Sequence, residues 1–108
     1  MLVSGFERKK EMDKKIKIKW LKALRSGKFE QTNFRLKRTD ANGVERYCCL
    51  GVLCEAMKEK YEPIHDFPSD ETLKKAGLTH YQTDKLTDMN DFEELSFKQI
   101  AAYISRNL

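Results

Sequence analysis

The three cysteines of the chain fall within seven residues, at Cys48, Cys49 and Cys54 in the segment YCCLGVLCEAM. Clustered thiols can hold a zinc ion or supply a nucleophile. The CCxxxxC spacing departs from the C-x2-C pattern typical of zinc sites. On a helix beginning at residue 49, the Cys49 and Cys54 side chains would point about 140° apart. We therefore predict that these cysteines mainly pack, and we assign neither a metal nor a cofactor.

Cys48 is the exception among the three. It precedes or begins the predicted helix and follows Arg46 closely, and a reactive thiol requires a positively charged, partly exposed setting. It is therefore included among the candidate ligand-binding residues. Nothing local pairs His65 or His80 with a nucleophile, so no catalytic residue is assigned and a non-enzyme is favoured. A zinc- or thiol-dependent enzyme remains an alternative.

Charge is distributed unevenly along the chain. Residues 1–40 contain 13 basic and 5 acidic residues, whereas residues 41–108 contain 8 and 12. The basic excess peaks in KKEMDKKIKIKWLKALRSGK. Such a stretch can contact nucleic acid, an anionic ligand or an acidic partner. A nucleic-acid-binding module that uses this basic segment is therefore an alternative, although no helix-turn-helix or RNA-recognition pattern occurs.

The preferred candidate site is the end of the first predicted helix and the loop after it. Cations and an amide cluster there in sequence, which would suit an anionic ligand. Because a helix C-terminus repels anions through its dipole, the side chains would have to supply the attraction. The candidate ligand-binding residues are Arg25, Lys28, Gln31, Arg35, Lys37, Arg38 and Cys48.

Hydrophobic periodicity predicts the first elements. Ile16, Trp20 and Leu24 recur at helical spacing, which predicts a helix over residues 13–26 with Trp20 anchored in the core. Residues 33–49 alternate around the turn sequence TDANG and predict a β-hairpin. A wide apolar stripe then predicts a central helix over residues 49–60, where Gly51 would be explained by close approach of another backbone.

Capping residues mark two of the three later helices. Ser69 is a predicted N-cap for a short helix that ends before Gly77, and a further helix is predicted over residues 80–90. Ser96 and Gln99 form the capping-box pattern of the last helix. The sequence thus predicts a small α+β fold with four to five helices packed on a short antiparallel hairpin. The single domain would span residues 13–108, after a flexible leader at 1–12.

Composition narrows the setting in which the chain works. No apolar run is long enough to span a membrane. An odd number of cysteines argues against a disulfide framework. We therefore expect a cytoplasmic protein with reduced thiols and no membrane partner.

Three segments, WLKALRSGKFEQ, YCCLGVLCEA and LTDMNDFEELSFKQIAAYI, resemble in order a family of small proteins encoded by tailed bacteriophages and prophages. The resemblance covers roughly residues 20–107. The family typically has a glycine soon after the Met-Asn-Asp segment, where this chain has Phe92-Glu93-Glu94. The resemblance implies an accessory role in host takeover or defence evasion. The leading hypothesis is a non-enzymatic phage accessory protein that binds a host protein or an anionic small molecule such as a nucleotide signal.

Overall fold

A computed structural model describes residues 11–108. Within this range the chain forms five helices and three short strands. In chain order they are α1 (Lys14–Arg25), β1 (Glu30–Gln31), β2 (Lys37–Thr39), β3 (Glu45–Tyr47), α2 (Cys49–Met57), α3 (Asp70–Ala76), α4 (His80–Asp91) and α5 (Phe97–Asn107). The predicted α+β class, with five helices and a small sheet, is confirmed.

The sheet is mixed, with strand order β1-β3-β2. The predicted hairpin is present, since β2 and β3 pair antiparallel with Arg38 opposite Arg46. Sequence analysis missed β1, which pairs parallel to β3 with Glu30 opposite Arg46. The outer side of β2 is also covered, because the Lys37 N–H donates to the Pro63 carbonyl at 3.1 Å.

The hairpin is shorter than predicted because the chain leaves the extended conformation at Phe34. Its φ of 68° lies in the left-handed region, which a bulky residue rarely adopts. The Phe34 side chain is 49% exposed, whereas strand alternation would have placed it on the same face as Leu36. Strand β2 begins only at Lys37.

Helix α2 is the centre of the core. Every residue from Cys49 to Cys54 is buried, and the helix packs against α1, α4 and β3. Trp20 on α1 is fully buried and its Nε1–H donates to the Cys49 carbonyl at 2.9 Å. This hydrogen bond satisfies the polar group of the largest core side chain and confirms the predicted anchor.

Side-chain caps set the helix boundaries much as predicted. Asp13, Ser69 and Ser96 each accept a hydrogen bond from the first turn of the following helix, and Gln99 completes a capping box with Ser96. Helix α2 is the exception, because it ends at Met57 rather than at residue 60. Lys58 adopts a left-handed conformation there, with φ 58°.

The two residues directly before α1 contact the rest of the domain. Met12 is 3% exposed, and the Asp13 N–H donates to the Ala76 carbonyl at 2.8 Å. Residue 12, which we had placed in the leader, therefore packs with the domain, and residues 1–10 of that leader lie outside the described range. Across residues 11–108, no helix has the length and apolar composition needed to cross a bilayer.

Gly51 permits a close contact between α2 and the backbone directly before β2. A Cβ placed on it would lie 1.8 Å from the Leu36 carbonyl oxygen. The close approach predicted for this glycine is confirmed.

Gly51→Ala tests this contact. An alanine would normally stabilise a helix interior by about 1 kcal/mol, but here the backbone must move, so we expect a loss of about 3 kcal/mol or more. Gly27→Ala is the control, since Gly27 has φ 77° but open space around it and should lose only about 1 kcal/mol. Urea denaturation measures both. Equal losses, or a stabilised Gly51→Ala, would contradict the contact.

Candidate functional site

The exposed side of α1 carries a continuous run of positive charge. At 100° per residue, five cations fall within a sector of about 140°, opposite the buried Trp20 and Leu24. The helix is 12 residues long, so the run extends over about 18 Å. We call this surface the cationic face: Lys14, Lys15, Lys19, Lys22 and Arg25, all exposed.

None of these five side chains forms a salt bridge within residues 11–108. Helix α1 itself contains no acidic residue. Ile18, which lies inside the same sector, is 65% exposed. The face therefore presents uncompensated positive charge with one apolar side chain among the cations.

Helix energetics disfavour this arrangement. Lys14 and Lys15 lie in the first turn, where the helix dipole opposes cations. Lys15 and Lys19 are four residues apart, and Lys19 and Lys22 three, which are spacings at which like charges repel. Each effect is worth only about 0.2–1 kcal/mol. Lys22 and Arg25 lie in the last turn, where the dipole favours cations, so the dipole effects at the two ends offset each other. The like-charge repulsion remains, and it lowers the stability of the helix.

The residues predicted to bind an anion lie in different environments. Arg25 and Lys28 are exposed at and after the end of α1. Gln31 is half-buried, and its Nε2 amide donates to Asn90 Oδ1 at 2.9 Å and to the Leu95 carbonyl at 2.8 Å. The Gln31 amide nitrogen is therefore engaged in hydrogen bonds within the fold.

The remaining cations of the predicted site are dispersed over the sheet region. Lys37 Nζ lies 2.9 Å from Glu45 Oε2 and 5.6 Å from the centroid of the Tyr47 ring. The hydrogen bond that Lys37 donates to Glu45 raises the Lys37 pKa. Arg35 and Arg38 are exposed. Lys37 and Arg38 are consecutive on β2, so they point to opposite faces of the sheet.

A wide cleft lies on another part of the described surface and has the wrong charge for an anion. It encloses about 900 Å³ between β2, the end of α2 and residues 59–70. Of the predicted site residues, only Lys37 lines it. Four carboxylates and two lysines contribute to its walls, namely Glu55, Glu59, Glu62, Asp70, Lys37 and Lys60.

The cysteines are packing residues, as predicted. Cys49 and Cys54 are fully buried. Cys48, which we had placed among the ligand-binding residues, is only 5% exposed and caps α2 by accepting a hydrogen bond from the Gly51 N–H at 3.4 Å. Burial raises the Cys48 pKa to about 11. Arg46 does not activate it, because its guanidinium pairs with Asp40 at 2.7 Å.

The described part of the chain contains no set of side chains that could ligate a metal ion. No group of three or more histidine, cysteine, aspartate or glutamate side chains among residues 11–108 could hold a metal ion. The zinc alternative therefore has no site within that range.

Sequence analysis missed the role of Asn90, which is 1% exposed. Its Oδ1 accepts from Gln31 Nε2 and from the Cys49 N–H, and its Nδ2 donates to the Thr32 carbonyl and to Asp91 Oδ1. All the hydrogen-bonding capacity of the amide is used. The only sequence signal was a polar residue directly after the apolar stripe of α4.

Burial of the three cysteines should protect their thiols from reagents in solution. We expect all three cysteines to react with a thiol reagent at pH 8 only as fast as the protein opens, because the thiolate is the reactive form. A single rapidly labelled thiol in the native protein would contradict the burial.

Stability should also fall in alkaline solution. Burial raises the pKa of Cys48 from 9.0 to about 11 and that of Cys54 from 9.0 to about 12. The folded state therefore retains protons that the unfolded state releases, and stability falls as the pH rises from about 9 towards 12. Urea midpoints measured from pH 7 to 10 test this, and Cys54→Ala should flatten the decline. A constant or rising midpoint would contradict it.

Comparison with known families gives a match over the first part of the described chain. The profile of a family described as a domain of unknown function, DUF8296, matches residues 12–74. This range contains the cationic face, the sheet and α2, and it extends into α3. No curated protein and no solved structure matches the chain. Because the match covers more than half of the sequence, the chain belongs to the DUF8296 family.

Proposed function

We propose that the protein is a non-enzymatic module that binds the phosphate backbone of nucleic acid through the cationic face of α1. The observation that carries the proposal is the set of five exposed cations without a salt-bridge partner among residues 11–108. A phosphate backbone presents regularly spaced negative charge that such a row of cations can neutralise, releasing counterions.

The shape of the surface favours a polymer over a small anion. Small-molecule sites are concave and bury most of their ligand, whereas the cationic face is the outer surface of a single helix. The cleft of about 900 Å³ described above is rich in carboxylates. The anionic small molecule of our leading sequence hypothesis thus has weaker support than its nucleic-acid alternative.

The energetic cost of the face supports a binding role. A solvated surface helix gains stability when acidic residues occupy its first turn and opposite charges alternate along it. Helix α1 has neither feature. Its two buried anchors, Trp20 and Leu24, fix the helix on the domain with the cations outward, so the charge is held in place before a partner arrives.

Phage origin and binding to a host protein belong to the resemblance alone. We retain both as proposals, together with a location in the host cytoplasm. A nucleic-acid-binding role is compatible with an accessory function of that kind. The proposed binding role does not depend on the resemblance, because the exposed charges of α1 support it.

The salt dependence of binding measures the number of phosphates contacted. If all five cations participate, the logarithm of the association constant for a 20-base-pair DNA duplex should fall against log[salt] with a slope of about −4.5, and of about −3.5 for a single strand. Fluorescence anisotropy with labelled oligonucleotides gives both slopes.

A matched pair of triple variants locates the contact. Lys15→Gln/Lys19→Gln/Lys22→Gln should reduce the magnitude of the duplex slope by about 3. Lys60→Gln/Lys74→Gln/Lys98→Gln removes the same charge from exposed positions outside α1 and should leave the slope nearly unchanged. Absence of binding at low salt, or equal effects of the two triples, would refute the proposal.

Lys15→Glu should strengthen the fold while weakening binding. The new carboxylate would lie in the first turn of α1 and four residues before Lys19, both favourable, and should add about 0.5–1.5 kcal/mol. Lys98→Glu makes the same charge change in the first turn of α5 and should leave DNA affinity nearly intact. Urea denaturation and anisotropy provide the two readouts. A Lys15→Glu protein that is less stable, or that binds DNA as tightly as the unmodified chain, would show that the cations have another purpose.

A further inference from the structure

Two phenylalanine rings form an exposed pair on the surface. Phe34 is 49% and Phe92 is 70% exposed, and their centroids lie 5.4 Å apart in an edge-to-face arrangement. Exposed apolar side chains usually occur singly and need no explanation. Here the turn before β2 and the loop after α4 bring two aromatic rings together in solvent.

The backbone on both sides of this pair adopts an unfavourable conformation. Phe34 has φ 68° and Glu94 has φ 54°. Side chains with a Cβ rarely take the left-handed region, and such residues persist only where the surrounding structure enforces them. The chain thus holds the pair in place against local backbone preference.

Hydrogen bonds from the interior enforce this geometry. Asn90 Nδ2 donates to the Thr32 carbonyl at 2.8 Å, and Asn33 Nδ2 donates to the Asp91 carbonyl at 3.4 Å. Gln31 Nε2 reaches the Leu95 carbonyl at 2.8 Å. The two loops are therefore tied to each other, and the rings lose little further freedom when a partner covers them.

Unpaired charges of both signs border the aromatic pair. Arg35 follows Phe34, and Glu93 and Glu94 follow Phe92. All three are exposed, and none forms a salt bridge within residues 11–108. The two glutamates would repel the phosphates of a nucleic acid at this surface. A partner that carried charge of only one sign would leave either Arg35 or the two glutamates without an oppositely charged group.

We infer that a second copy of this chain covers the aromatic pair in a symmetric dimer, with Arg35 of one copy opposite Glu93 and Glu94 of the other. A two-fold axis brings each patch onto its own image and repeats this contact in reverse. The four rings form the apolar centre and the charges form the rim, as in protein interfaces generally.

The dimer is weak and depends on concentration. Two half-exposed rings per copy provide far less than the roughly 800 Å² per partner of a standard stable interface. Sedimentation velocity of the full chain from about 10 μM to 1 mM should therefore show a monomer–dimer equilibrium, as expected for a small, transient contact.

Removal of either ring should weaken the dimer at least about tenfold. Phe34→Asn is suited to this test because asparagine tolerates the left-handed conformation, and Phe92→Ser removes the second ring. Tyr81→Ser is the control, since Tyr81 is also an exposed aromatic residue, at 75%, and should not change the association. A chain that is monomeric at 1 mM, or a dimer that survives both Phe variants, would overturn the inference.

Charge exchange identifies the occupant as a second copy. Arg35→Glu and Glu93→Arg/Glu94→Arg should each be monomeric, because like charges then meet across the axis. An equimolar mixture of the two variants should regain the dimer, since every contact again joins opposite charges. Failure of the mixture to associate would overturn the symmetric arrangement.

Discussion

A single buried amide, that of Asn90, joins the parts of the structure that are distant in sequence. It binds the end of β1 through Gln31 and Thr32, and it binds the first turn of α2 through the Cys49 N–H. Buried polar groups that are fully satisfied specify one arrangement strongly, because any other leaves them unpaired. The position of α4 relative to the sheet and the central helix therefore depends on this side chain.

The same framework accounts for how α1 is presented. The Trp20 indole donates to the Cys49 carbonyl, so α1 is fixed to the same first turn of α2 that receives the Asn90 amide. Core packing uses one side of α1 and leaves its cations outside. Like-charge repulsion along the helix is tolerated because burial of Trp20 and Leu24 outweighs it. Stability comes from one side of the helix, and recognition is proposed for the other.

Sequence reasoning was most successful where structure is local. The caps at Ser69 and Ser96 were predicted because each forms its hydrogen bond within its own helix turn. Strand β1 was missed because two residues carry no periodic pattern, and its pairing to Arg46 is non-local. The bonds of Asn90 join residues far apart in sequence. Cys48 was assigned an activating neighbour, but Arg46 pairs with Asp40.

The most direct test of the account is a map of where nucleic acid contacts the folded chain. In a ¹⁵N–¹H correlation spectrum titrated with a short DNA duplex at low salt, the account predicts shifts concentrated in α1, with the carboxylate-rich cleft between residues 55 and 70 unaffected. Shifts centred on that cleft, or a spectrum unchanged at millimolar duplex, would contradict the assignment of recognition to the cationic face.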